Sequence, residues 1–149
     1  MKTTKILPPR IFQLALLAIA AIHFLLPLWF MYHSPIRFIG IIPIFIGSYL
    51  NIYTDQLIKK KHTTIKPFEE PSAFIEYGPF RYSRNPIYLG MVLILVGAGF
   101  ISGSVLTFLV PIGFAILVFF LYIKPEEQIL EARFGETYTN YKKRVNCWI

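Results

Sequence analysis

Charged side chains are absent from residues 11–32, and a second apolar run, residues 36–53, follows a short break with only Arg37 at its edge. Two more runs, residues 87–102 and 104–123, are separated by Gly103 alone. Each approaches the roughly 20 apolar residues that carry an α-helix across a bilayer, so each predicts a transmembrane helix. Ser34-Pro35 supplies an N-cap residue and a first-turn proline for the second helix, and Ser102-Gly103-Ser104 is too short for anything but an antiparallel hairpin. Pro27, Pro43 and Pro111 fall inside the runs, where modest kinks are expected.

Two polar stretches remain. The connection over residues 54–86 contains the breakers Glu69-Glu70-Pro71 and Gly78-Pro79, which predict a loop folded over the membrane surface. In the tail, residues 124–149, Leu130, Phe134, Tyr138, Tyr141 and Val145 recur at spacings of three and four and predict one amphipathic helix. The pattern predicts an all-α fold: an integral membrane bundle of about four transmembrane helices, with a cytoplasmic loop and a C-terminal amphipathic helix, as a single membrane domain over residues 1–149.

Composition agrees, with 55% hydrophobic and only 15% charged residues. The net charge of +7 does not imply nucleic acid, because the basic residues flank apolar segments instead of lining one polar domain. With four spans, Lys2, Lys5, Arg10, Lys59, Lys60, Lys61, Lys66, Arg81, Arg84, Lys124, Arg133, Lys142, Lys143 and Arg144 fall on one side and Arg37 on the other. The positive-inside rule makes both termini, the loop and the tail cytoplasmic. No small-residue cleavage site follows the first run, so that helix is expected to be retained. Cys147 alone makes no disulfide, and His23, His33 and His62 have no metal-binding spacing, so no metal is expected.

The polar residues admit structural roles one at a time. Asn85-Pro86 is a cap and first turn, Glu126 and Glu127 after Pro125 suit the positive end of a helix, and Tyr77, Phe80, Tyr82 and Tyr88 suit an interfacial belt. Taken together, the free N–H groups at the start of the third helix suit a carboxylate, and the paired glutamates and aromatics suit a cation. A zwitterion with an added positive centre fits both.

The segment Gly78-Pro79-Phe80-Arg81-Tyr82-Ser83-Arg84-Asn85-Pro86-Ile87-Tyr88-Leu89-Gly90, followed by Glu126-Glu127-Gln128-Ile129-Leu130 and Phe134-Gly135-Glu136-Thr137-Tyr138, resembles the isoprenylcysteine carboxyl methyltransferase family and its phospholipid methyltransferase relatives. The resemblance runs from Thr63 onward, with helices one and two matching only as generic spans. It implies S-adenosyl-L-methionine as cofactor, held by Ser72, Ala73, Phe74, Ile75, Phe80, Asn85, Pro86, Ile87, Tyr88 and Glu126, and leaves open whether Glu127 shares the role of Glu126. It further implies a methyltransferase acting at the cytoplasmic face on a lipophilic acceptor, with the lipid bilayer as its surroundings. The family usually carries a histidine where this chain has Asn85, which removes a titratable group there. It carries a carboxylate-orienting arginine where this chain has Tyr122, with Lys124 the nearest basic residue, so the resemblance argues for methyl transfer and against prenylcysteine. A phospholipid or thiol methyltransferase is the alternative within enzymes, and a four-helix membrane assembly or transporter subunit the alternative outside them.

Overall fold

A computed structural model describes residues 7–26, 35–61 and 74–149. Its elements are helical throughout: α1 (Pro8–Leu25), α2 (Ile41–Lys60), α3 (Pro86–Ser102), α4 (Leu109–Val118), α5 (Lys124–Phe134) and α6 (Glu136–Arg144). A 3₁₀ turn, Ile36–Gly40, leads into α2, and a second, Val105–Phe108, leads into α4. Pro43 and Pro111 each lie in the first turn of the α-helix that follows, where a missing N–H breaks no intrahelical bond. Pro27, Ser34 and the breakers Glu69-Glu70-Pro71 lie outside the described residues.

Among the described residues three helices are long and apolar enough to cross a membrane, Pro8–Leu25, Ile36–Lys60 and Val105–Phe134, and Pro86–Ser102 is a shorter apolar helix packed among them. The protein is therefore an integral membrane protein. Its outward surface carries Phe24, Phe45, Ile46, Tyr49, Ile52, Leu109, Ile116 and Phe120, an apolar exterior that suits acyl chains. The helix Val105–Phe134 has 30 residues and runs about 45 Å at 1.5 Å per residue, longer than a hydrocarbon core of about 30 Å. Its polar end, α5, stands beyond the apolar layer.

α3 is the hub of the bundle: α1, α2 and α4 all pack on it. Between helices that share an apolar solvent, close backbone approach replaces hydrophobic exclusion as the source of cohesion. Gly40 and Gly47 on the α2 side oppose Gly97 and Gly90 on α3 in antiparallel register. A Cβ at Gly40 would stand 2.3 Å from the Gly97 carbonyl oxygen, and one at Gly47 2.4 Å from that of Gly90. Around the other face of α3, Ala15 and Ile19 of α1 join Tyr88, Leu95, Phe114, Val118, Tyr122 and Ile123 in the buried core. The hairpin closes as expected at Gly103, which ends α3 at φ +73°, while the Ser102 hydroxyl donates to the Gly99 carbonyl at 2.7 Å.

Several boundaries differ from expectation, beginning with α1, which spans Pro8–Leu25 where the uncharged run covers residues 11–32. α2 continues through Thr54 and Asp55 to Lys60, so the connection starts later than residue 54. Thr54 donates to the Leu50 carbonyl at 2.7 Å, which satisfies a buried hydroxyl, and Asp55 pairs with Lys59 at 2.6 Å one turn on, a spacing that favours helix. The tail is not one helix. Gly135, at φ +52°, breaks it, and α6 folds back so that Tyr138 and Tyr141 are buried.

Candidate functional site

The site is built at the start of α3. Gly78 at φ +64° allows the turn Gly78–Arg81, after which the chain passes through Ser83, Arg84 and Asn85 into Pro86. Asn85 does not cap α3 with its side chain as expected. The Ser83 hydroxyl accepts the Asn85 N–H at 3.1 Å, and the Asn85 amide turns away to donate to the Cys147 carbonyl at 3.1 Å. Its amide N–H groups are thus used on the returning chain, and the first-turn N–H groups of Ile87 and Tyr88 receive no cap from it.

Tyr88 follows within the first turn of α3 and is buried; its hydroxyl donates to Glu126 Oε1 at 2.7 Å. The preceding helix brings Glu126 there. Residues Phe119–Ile123 form a π-helical turn, in which the Lys124 N–H reaches back to the Phe119 carbonyl. Pro125 has no N–H and its ring opposes the carbonyl four residues back, so widening the turn before it relieves both faults. The inserted residue shifts the register of everything after it and sets Glu126 against α3. Tyr122, one turn earlier, is fully buried with its ring 6.3 Å from that of Tyr88. It is part of the core floor beneath Glu126.

Glu127 has a different environment from its neighbour. Arg84 Nη2 lies 2.9 Å from one of its oxygens and Lys142 Nζ 3.0 Å from the other, with the Glu127 side chain only 12% exposed. Lys142 also pairs with Glu131 at 2.8 Å, and Arg84 Nη1 donates to the Lys142 carbonyl at 3.2 Å. These bonds to Glu131 and Glu127 raise the Lys142 pKa, and they lock the start of α3, α5 and α6 together. Among the described residues no cation stands against Glu126. Two adjacent carboxylates have thus been separated, one held in ion pairs and one bonded by the Tyr88 phenol.

The Phe74 ring and the Phe80 carbonyl lie against α6. The Phe74 ring lies 5.4 Å from Phe134, 5.8 Å from Tyr138 and 5.2 Å from Tyr141, and Ile75 is buried. Tyr141 donates to the Phe80 carbonyl at 2.6 Å, and Arg144 pairs with Glu76 at 2.9 Å. Burial pushes the Tyr138 and Tyr141 phenols well above their ordinary range, so both remain neutral donors. Of the expected site residues, Tyr88 and Glu126 are in direct contact, and Asn85, Pro86 and Ile87 adjoin them in sequence. Phe74, Ile75 and Phe80 pack beside the ion pairs, and Ser72 and Ala73 lie outside the described residues. Sequence reasoning missed Arg84, Lys142 and Cys147; no spacing pointed to Cys147, whereas the basic residues had been assigned only to topology. Among the described residues no group of His, Cys, Asp or Glu is arranged to hold a metal ion.

An uncharacterized protein of Haemophilus influenzae is 35% identical to this chain over 63 residues, 42% of this chain and 100% of that protein. The family model described as phospholipid methyltransferase matches residues 36–137, which includes α2, α3, α4, α5 and the paired glutamates but neither α1 nor residues 146–148. The match therefore begins earlier than the motif resemblance does and takes in the second span. With this match over more than half of its length, and with the motif-bearing turns of α3 and α5 in direct contact, the chain belongs to the phospholipid methyltransferase family.

Proposed function

We propose that the protein binds S-adenosyl-L-methionine at the polar end of the bundle and methylates a lipophilic acceptor that reaches the site from the bilayer. Membership in a family of membrane methyltransferases supports methyl transfer. The observation that carries the cofactor reading is the contrast between Glu126 and Glu127: the first is oriented by Tyr88 and has no cation against it among the described residues, the second is neutralised twice. A carboxylate so held, with tyrosine rings beside it, suits an ammonium or sulfonium.

The cofactor's sulfonium would supply an activated methyl group and a leaving group that departs neutral. The protein's contribution is then alignment more than proton transfer. Tyr88 fixes the Glu126 carboxylate, the Arg84–Glu127–Lys142 ion pairs fix α5 against α3, and Tyr122 closes the floor with a neutral buried ring. An acceptor that already has a free lone pair needs no more than this placement; an ammonium headgroup must first give up a proton to water, after which its nitrogen forms the bond to the methyl carbon and the C–S bonding pair leaves on the sulfur. The family supports a phospholipid acceptor, and the neutral Tyr122 supports a poor fit to the prenylcysteine carboxylate. The distribution of basic residues supports placing both termini and the site on the cytoplasmic side.

The test is a calorimetric titration of the detergent-solubilised protein with S-adenosyl-L-methionine, followed by transfer of its radiolabelled methyl group to phosphatidylethanolamine, a farnesylcysteine analogue and an alkyl thiol. Saturable binding with labelling of the phospholipid is expected. No binding by a folded sample refutes the cofactor, and labelling of farnesylcysteine alone refutes the acceptor class.

A further inference from the structure

After α6 ends at Arg144 the chain becomes extended and returns to the start of α3. The Asn146 carbonyl accepts the Arg84 N–H at 3.1 Å. The Cys147 carbonyl accepts from the Ser83 hydroxyl at 3.3 Å and from the Asn85 amide at 3.1 Å, with Cys147 Sγ 3.5 Å from the same amide nitrogen. Cys147 and Trp148 then pack against the buried core that includes Tyr88 and Tyr122. Three consecutive residues, Ser83, Arg84 and Asn85, are therefore bonded by two consecutive carbonyls from a segment more than sixty positions away.

We infer that residues 146–148 form a strap whose docking sets the position of the α3 start, so that Ser83 to Tyr88 take their site geometry only when Trp148 is seated. The inference rests on the cofactor reading above. It assigns positioning roles to Trp148 and to the Cys147 backbone, outside the residues that the family match covers. The turn it holds has few other anchors: Pro86 offers no N–H, Asn85 does not cap its helix, and Arg84 is the residue through which the ion pairs reach α3. By linkage, a strap that favours the binding-competent turn must itself be held more firmly when cofactor is bound.

Cys147 is the chain's single cysteine, so its alkylation reports the strap directly. Burial raises the thiol's pKa and the docked strap covers part of it, so labelling by a maleimide at neutral pH should be slow in the full-length protein and slower with S-adenosylhomocysteine present. Trp148→Ala should speed labelling and weaken cofactor binding by about tenfold, equivalent to about 1.4 kcal/mol, while Trp148→Phe keeps both. In turnover the loss should appear in the KM for the cofactor with kcat nearly unchanged, while the thermal midpoint falls only modestly because Trp148 is partly, not fully, buried against the core. Ser83→Ala, which removes one donor and leaves the anchor, should show the same pattern at smaller size. Trp148→Ala binding as tightly as the parent, or a loss of binding accompanied by an equal fall in kcat and thermal stability, overturns the strap. S-adenosylhomocysteine that binds the parent without slowing the labelling of Cys147 overturns it as well. Absence of binding by the folded parent overturns the cofactor reading itself, and the inference with it.

Discussion

Arg84→Leu removes a guanidinium that joins the start of α3 to α5 and α6. Arg84 and Glu127 are 10% and 12% exposed, so the variant leaves a nearly buried carboxylate facing an apolar side chain on one side. Breaking a fully buried pair by removing one partner costs roughly 3–5 kcal/mol. Here Lys142 stays at 3.0 Å on the other oxygen and is itself 36% exposed, so solvent and the remaining lysine recover part of that cost. A destabilisation of about 2–3 kcal/mol is the expected net effect. For a chain of this size it corresponds to a fall in the thermal midpoint of roughly 5–10 °C. Lys142→Met should cost less, because Arg84 keeps its contact with Glu127. The triple replacement Arg84→Leu, Glu127→Leu and Lys142→Met should recover much of the loss, since no charge is then left buried without a partner. Melting curves in one detergent, followed by tryptophan fluorescence, measure all three variants together. An unchanged midpoint for Arg84→Leu, or a triple variant less stable than the single one, would refute the ion pairs as the clamp on this turn.

The glycines predict a contrast between α3 and α4: Gly97→Ala, whose Cβ would stand 2.4 Å from the Gly40 carbonyl oxygen, should lower the midpoint, while Gly113→Ala on α4, with nothing within 4 Å, should leave it unchanged or raise it slightly. Lys142 has its pKa raised in the folded state, so its stabilisation is fully present below its ordinary value of 10.5 and disappears as pH rises through the raised value; pH-dependent melts should show a loss above that point that Lys142→Met lacks. Reporter fusions should place both chain ends in the cytoplasm, and an enzyme reporter that needs the periplasm, active at residue 149, would reverse the orientation.

The spans were legible because lipid imposes long uncharged runs, and the family motifs survived in the turns that touch. Their ends were less legible. Thr54 and Asp55 look like loop residues to hydropathy, yet α2 runs on to Lys60 with Thr54 buried and Asp55 paired to Lys59. The tail stripe from Leu130 to Val145 had helical spacing, and a single residue, Gly135 at φ +52°, divides it. Glu126 and Glu127 were interchangeable in the sequence, since both follow Pro125 in one first turn. Their separation depends on the π-helical turn that fixes the phase of α5 and on Arg84 and Lys142, which approach from two other elements. Tyr122 could be matched to an arginine position, but its burial against Tyr88 depends on the packing of α3 on α4. An arginine introduced there would have to bury its charge in the core, so Tyr122→Arg tests stability before it tests the acceptor.

The most direct measurement of the central claim compares S-adenosyl-L-methionine affinity in folded Glu126→Gln and Glu127→Gln by calorimetry. Glu126→Gln keeps an acceptor for the Tyr88 hydroxyl and removes only the charge, so the account predicts a midpoint close to the parent's and an affinity lower by about ten- to a hundredfold, the worth of a charge-assisted contact of roughly 1.5–3 kcal/mol. Glu127→Gln should show the reverse, a lower melting point with affinity retained once the protein is folded. Undiminished binding by Glu126→Gln would contradict the assignment and leave Glu126 as a first-turn residue bonded to Tyr88 and nothing more.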